Sequence, residues 1–161
     1  MGNSTSKKAL IITGLNEKLN QQFPIITNKK TEELIIINTI GNSISQPYDS
    51  IMRSIIIAVY QENIEEIYII GEKNSTERSI NKDGYLSKMQ KANISTKEIK
   101  AIEYIGVVGE DLMSWLVGRE DVKTIIKENI CLIKKHPLMP KNVTVYGFIA
   151  NADFSEFEEV S

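Results

Sequence analysis

The sequence predicts an α/β fold, with a mainly parallel central sheet flanked by helices, and three observations point to it. Four short apolar runs rich in β-branched residues are each bounded by polar residues. A longer apolar segment, Asp49 to Asn63, separates the second run from the third. Strand, helix, strand in that order implies right-handed crossovers, hence parallel neighbours with helices on both faces of one sheet.

The runs are Ala9 to Thr13, Leu34 to Ile37, Ile67 to Ile70 and Val143 to Ile149. Each is too short for a helix, and their Ile and Val content suits buried strands. Asp49 or Ser50 supplies the N-cap for the helix that follows the second run. That helix has Ile51, Met52, Ile55, Ile56, Ile57, Ala58 and Val59, more than the single apolar stripe of about 100° that covers one sheet face. Its second apolar face is either a dimer contact or a surface buried within its own monomer. Lys73 to Asn93 is polar and includes Gly84, so it reads as loops and one exposed helix. Gly118 closes an apolar patch around Trp115. Asp121 to Lys135 is a helix with Val122, Ile125, Ile126, Ile130 and Ile133 inward, and His136-Pro137 stops it. There is no internal repeat, linker or low-complexity tract.

At 161 residues, with 42% apolar and 25% charged residues, the chain has the size and composition of one globular domain spanning 1–161. A formal net charge of -2 gives no global pull toward nucleic acid or anionic lipid, and neither partner is expected. The apolar run near the N-terminus is strand-sized, too short for a signal sequence or membrane span, so a soluble protein without membrane insertion is expected. Cys131 is the only cysteine. It excludes a disulfide within one chain and any site needing two thiolates from it, which suits a reducing cytoplasm. Gly2 with Ser6 fits a myristoylation pattern, and Asn3, Asn74, Asn93 and Asn142 open glycosylation sequons. An Asn-, Ser- and Thr-rich chain produces such matches by chance.

From Asp121 to Val160 the chain runs through a helix, then His136-Pro137-Leu138-Met139-Pro140-Lys141-Asn142-Val143, then Val145-Tyr146-Gly147 and a strand. This resembles the C-terminal third of the β-carbonic anhydrases. Gly41-Asn42, Arg53-Ser54 inside a helix, and Ile67 to Gly71 closing a strand follow the same family's order and spacing. The resemblance spans Ala9 to Val160, and the length is similar to compact members that lack the long N-terminal helical arm. It implies a β-carbonic-anhydrase-like fold and, from the family's habit, a homodimer.

The family's chemistry needs Cys-x-Asp-x-Arg after the first strand and His-x-x-Cys after the third. Two thiolates and an imidazole hold zinc, and the fourth position carries a water whose pKa falls toward about 7, giving a hydroxide that attacks carbon dioxide. The Asp and Arg pair to hold the first motif and gate the metal. On this resemblance the first motif falls on Gly14-Leu15-Asn16-Glu17-Lys18, with Gly14 at the cysteine, Asn16 at the aspartate and Lys18 at the arginine. The second falls on Glu72-Lys73-Asn74-Ser75, with Glu72 at the histidine and Ser75 at the cysteine. Glycine has no side chain, a serine hydroxyl is a poor zinc ligand at neutral pH, and one carboxylate cannot supply the roughly 10 to 16 kcal/mol of a multi-ligand structural zinc site. The resemblance therefore implies former ligand positions at Gly14, Glu72 and Ser75, a lost pair at Asn16 and Lys18, no zinc or other cofactor, and no catalytic residue.

The expected function is that of a carbonic-anhydrase-like interaction or regulatory subunit linked to inorganic carbon, with a protein partner. Its rivals are an active carbonic anhydrase with an atypical site and a module that binds bicarbonate or another small anion. For the last, both loops follow strand ends, where open α/β sheets bind ligands. There Lys18 and Lys73 could attract an anion while Asn16, Asn74 and Ser75 donate hydrogen bonds. The plainer reading is a vestigial loop of ordinary polar residues. Gly14-Leu15-Asn16-Glu17-Lys18 lacks the repeated glycines of a nucleotide-binding loop, and Gly14 is also an ordinary turn residue after a strand. His136, the only histidine, sits in a loop similar to the family's non-catalytic one and reads as structural. Cys131, beside Ile130 and Ile133, reads as a small buried residue.

Overall fold

The computed structural model describes residues 6–40, 44, 46–73, 81–109, 111–117, 121–151 and 153–161. It forms two compact units, one of residues 1–74 with 121–161 and one of residues 75–120.

The first unit is built on a five-stranded sheet. Its strands are β1 (Ala9–Thr13), β2 (Leu34–Asn38), β3 (Glu66–Glu72), β4 (Thr144–Ala150) and β5 (Phe157–Val160), in the spatial order β2-β1-β3-β4-β5. The first four are parallel, and β5 returns antiparallel to β4. All five residues of β1 are buried. This is the pattern of a strand covered on both faces and flanked on both edges.

Alternation along the strands divides the core. Leu10, Ile12, Ile67, Ile69, Val145 and Ile149 face one way, toward α3 (Ser50–Glu62) and α7 (Val122–Lys135). Ala9, Ile11, Tyr68, Ile70 and Ala150 face the other, toward Leu19 of α1 (Glu17–Asn20) and Phe23 of α2 (Phe23–Thr27). On that second face Tyr68 stacks on Tyr146, ring centroids 5.0 Å apart. Burial first, then the neighbouring Glu66 carboxylate, pushes the Tyr68 phenol well above its ordinary range.

The two long helices start and stop where the sequence placed them. Asp49 caps α3, its Oδ1 accepting from the Met52 amide at 2.7 Å, and Asn63 ends it in the left-handed conformation that Asn tolerates. Asp121 caps α7 through the Thr124 amide, and His136 is its C-cap. Met52, Ile55 and Val59 of α3 are buried, but Ile57 and Tyr60 stand 36% and 58% exposed. The second apolar face of α3 is therefore open in the single chain.

Helix α7 corrects one expectation: Cys131 is exposed, not buried. At 100° per residue it falls about 140° around the helix from Ile126, away from the inner stripe of Ile125, Ile126 and Ile133. Asn129 occupies that stripe instead and is buried, its Oδ1 accepting from the Ile44 amide at 3.2 Å.

The second unit has three described helices. In α4 (Lys82–Lys91) the cap is Asn81, which accepts from the Gly84 amide. Ser95 and Glu98 form a capping box at the start of α5 (Thr96–Ile105), and Gly106 closes it at φ 76. Glu103 Oε1 accepts from the amide of Leu112, which opens α6 (Leu112–Val117), at 3.1 Å. Among the described residues of this unit, Ile99 and Met113 are the buried apolar side chains. The exposed helix expected between Lys73 and Asn93 is α4, whereas α5 was not foreseen. Gly118 lies outside the described residues. Among the described residues no helix is long and apolar enough to cross a membrane.

Candidate functional site

The strand register fixes which loops meet. Thr13 of β1 pairs with Asn38 of β2 and Ile70 of β3, and Glu72 of β3 pairs with Ala150 of β4. The residues following each strand therefore share the carboxyl edge of the sheet, where parallel α/β proteins place ligands.

Hydrogen bonds tie this edge together. Thr13 Oγ1 donates to the Ile70 carbonyl at 2.9 Å. The Thr39 amide donates to the Thr13 carbonyl at 2.8 Å, and Asn38 Nδ2 donates to the Gly14 carbonyl at 2.6 Å. On the far side the Lys73 amide donates to the Ala150 carbonyl at 2.9 Å. Thr39 is buried, and its hydroxyl has no hydrogen-bond partner among the described residues.

Each residue singled out in the sequence has a definite place. Gly14 is half-buried directly after β1. Asn16 caps α1, its Oδ1 accepting from the Lys18 amide at 3.1 Å. Lys18 is exposed on α1. Glu72 is half-buried as the last residue of β3, and Lys73 is exposed in the turn beyond it. Asn74 and Ser75 lie outside the described residues. Gly14 and Glu72 thus stand at neighbouring strand ends, and the two lysines follow the same edge. Asn38 and Thr39 were missed. The available signal was polar side chains closing a β-branched run, which marks a strand end as clearly as the run marks the strand.

Among the described residues, the side chains at this edge do not fit zinc. Gly14 offers no donor atom, the Asn16 oxygen is committed to the helix cap, and Glu72 contributes one carboxylate. The chain's only imidazole and only thiol belong to the α7 segment. His136 is committed there to backbone partners, the Pro47 carbonyl and the Leu138 amide, and Cys131 is exposed. Among the described residues no three His, Cys, Asp or Glu side chains gather as a metal site would require.

No protein-family model matches the chain. YtiB of Bacillus subtilis strain 168, named "Putative carbonic anhydrase", is 32% identical over 143 residues, covering 89% of this chain and 75% of that protein. YbcF of the same organism, named "Putative carbonic anhydrase-like protein", is 31% identical over 157 residues, covering 94% and 85%. Among solved structures, β-carbonic anhydrase isoform I from Trichomonas vaginalis superposes with a TM-score of 0.76 at 21% identity, covering 99% of this chain and 87% of its own. A tetrameric β-carbonic anhydrase from Sordaria macrospora gives 0.60 at 14% identity, covering 96% and 81%.

Proposed function

Because the chain belongs to the β-carbonic anhydrase family, we propose that it is a carbonic-anhydrase-like protein that acts without zinc and without carbon dioxide hydration. It serves as a cytoplasmic interaction or regulatory subunit linked to inorganic carbon, and residues 1–161 act as one domain of that family. The observation supporting this reading is the donor set at the carboxyl edge. Gly14 follows β1 and Glu72 ends β3, positions to which the resemblance assigns a thiolate and an imidazole, while the chain's own thiol and imidazole are on α7 or its cap.

The purified protein is expected to hold far less than one zinc per chain by elemental analysis after a mild chelator wash, and to hydrate carbon dioxide no faster than buffer. One zinc per chain with measurable hydration would instead make it an active carbonic anhydrase with an atypical site.

The same reading includes a homodimer built on α3. Ile57 and Tyr60 are exposed on it. Beside them a shallow groove of about 340 Å³ runs between α3 and the edge strand β2, lined by Ile35, Ile37, Ile57, Ala58 and Gln61 among others. Burying a few such side chains contributes about 1.5 to 3 kcal/mol each before entropic costs. Light scattering at micromolar concentration is expected to give twice the chain mass, and a monomer mass would refute the contact.

Small-anion binding is supported by Lys18 and Lys73, both exposed beyond strand ends at one edge. Bicarbonate that raises the melting temperature in proportion to RT ln(1 + [L]/Kd), in wild type but not in a Lys18→Ala, Lys73→Ala variant, would identify that module.

A further inference from the structure

His136 joins two turns of the first unit. One is the turn 46–49, closed by the Asp49 amide on the Gln46 carbonyl, and the other is the turn 136–139, closed by the Met139 amide on the His136 carbonyl at 3.0 Å. The residue is only 4% exposed. Its Nε2 lies 2.9 Å from the Pro47 carbonyl, which can only accept, so Nε2 bears the hydrogen. Its Nδ1 lies 3.2 Å from the Leu138 amide, which can only donate, so Nδ1 is bare. Two backbone groups from separate segments thus select one neutral tautomer.

We infer that His136 is an acid-released latch: its neutral ring holds the turn 46–49 against the turn 136–139, and a proton on Nδ1 undoes the hold. Protonation would set an Nδ1–H against the Leu138 N–H, two donors facing each other in a buried position, and the ring would have to leave one partner or the other. The latched form binds one proton fewer than the released form, so falling pH favours release.

Among the described residues, the elements that hold the ring carry the following titratable and charged groups. From the turn 46–49 the Tyr48 ring meets it edge-on, centroids 5.1 Å apart, and Asp49 follows, its carboxylate capping α3. The last turn of α7 brings Lys134 and Lys135, and Lys141 follows the turn 136–139. From α3, Tyr60 donates its hydroxyl to the Leu138 carbonyl at 2.7 Å. The carboxyl end of α7 favours a cation there, but that attraction cannot restore the acceptor that Leu138 loses. Because Asp49 both belongs to the latched turn and caps α3, release loosens the first turn of that helix.

The test is NMR on the intact chain from about pH 8 to about pH 5, spanning the ordinary histidine value near 6.5. The His136 ring nitrogens and the amides of Tyr48, Met52 and Leu138 are followed together. At the upper end the ring is expected as the Nε2–H tautomer, and the three amides are expected to shift with the ring's own midpoint. In His136→Asn, whose side chain can still accept from Leu138 but does not titrate, those shifts should vanish. A ring that titrates while the amides stay still, or amide shifts that persist in the variant, would overturn the latch. If His136→Asn fails to fold, the wild-type coincidence of midpoints decides the matter.

Discussion

Gly147→Ala is expected to be among the most destabilising single-methyl changes this chain can suffer. Gly147 lies in β4 beneath α7, and a Cβ there would collide with Ile126 Cγ2 and come within 2.9 Å of Ile130 Cδ1. The Ile130 methyl is the end of a side chain and can turn aside. Ile126 Cγ2 sits on the β-carbon of a fully buried residue with one favoured rotamer in a helix, so α7 itself would have to move. Overpacking of this kind costs about 1 to 3 kcal/mol, or roughly 2 to 12 °C of melting temperature for a domain this size. Ile126→Ala alone should cost about 2 to 5 kcal/mol. Combined with Gly147→Ala it should cost clearly less than the sum, because each relieves the other. Additive losses by denaturant unfolding would show that the two residues are not in contact.

The second large effect concerns the carboxyl edge. Gly14→Cys, Asn16→Asp, Lys18→Arg, Glu72→His and Ser75→Cys made together are expected to take the chain from no zinc to about one per chain, with weak or absent hydration. The backbone supports this at the described positions. Gly14 and Glu72 end adjacent strands, and aspartate at position 16 retains the oxygen that caps α1 through the Lys18 amide. Catalysis is expected to lag because a zinc-bound histidine needs an outer partner to orient it, and these five substitutions install the ligands and their pair alone. Circular dichroism first establishes that the variant folds as the parent does. A folded variant without zinc would mean that Gly14, Glu72 and Ser75 are not the ligand positions, and the case for a lost metal site would fall with that alignment.

Much of this architecture is legible in the residues, for identifiable reasons. β1 to β4 are runs of β-branched residues in a covered sheet, where composition alone separates strand from helix. The bounds of α3 and α7 follow from Asp49, Asn63 and Asp121, side chains that satisfy helix ends locally. β5 was illegible because Phe157–Val160 has four residues, two of them exposed glutamates, and exists only by pairing with β4. α1 and α2, at four and five residues, are too short to show a period. α5 had a visible signal in Ser95 and Glu98, the capping box itself. Asn129 could also have been found: it lies three residues after Ile126 and four before Ile133, on the inward stripe, where a polar side chain demands a buried partner. The tethers at Thr13, Asn38 and His136 depend on residues 24 to 89 positions apart, a distance over which no local pattern speaks.

The order β2-β1-β3-β4-β5 also sets a timetable for synthesis. β1, β2 and β3 can pair once Glu72 has emerged, but β4 must travel from Val145 to reach Ile67. At about 5 to 20 residues per second, the ribosome needs several seconds to deliver it. Throughout that interval the β4-facing edge of β3, with Ile67, Ile69 and Ile70 along it, has no partner strand. Such an apolar strand edge is a template for aggregation until it is covered. A nascent or truncated chain ending before α7 would therefore be a client for holding chaperones, whereas a chain extended past β4 closes that edge itself.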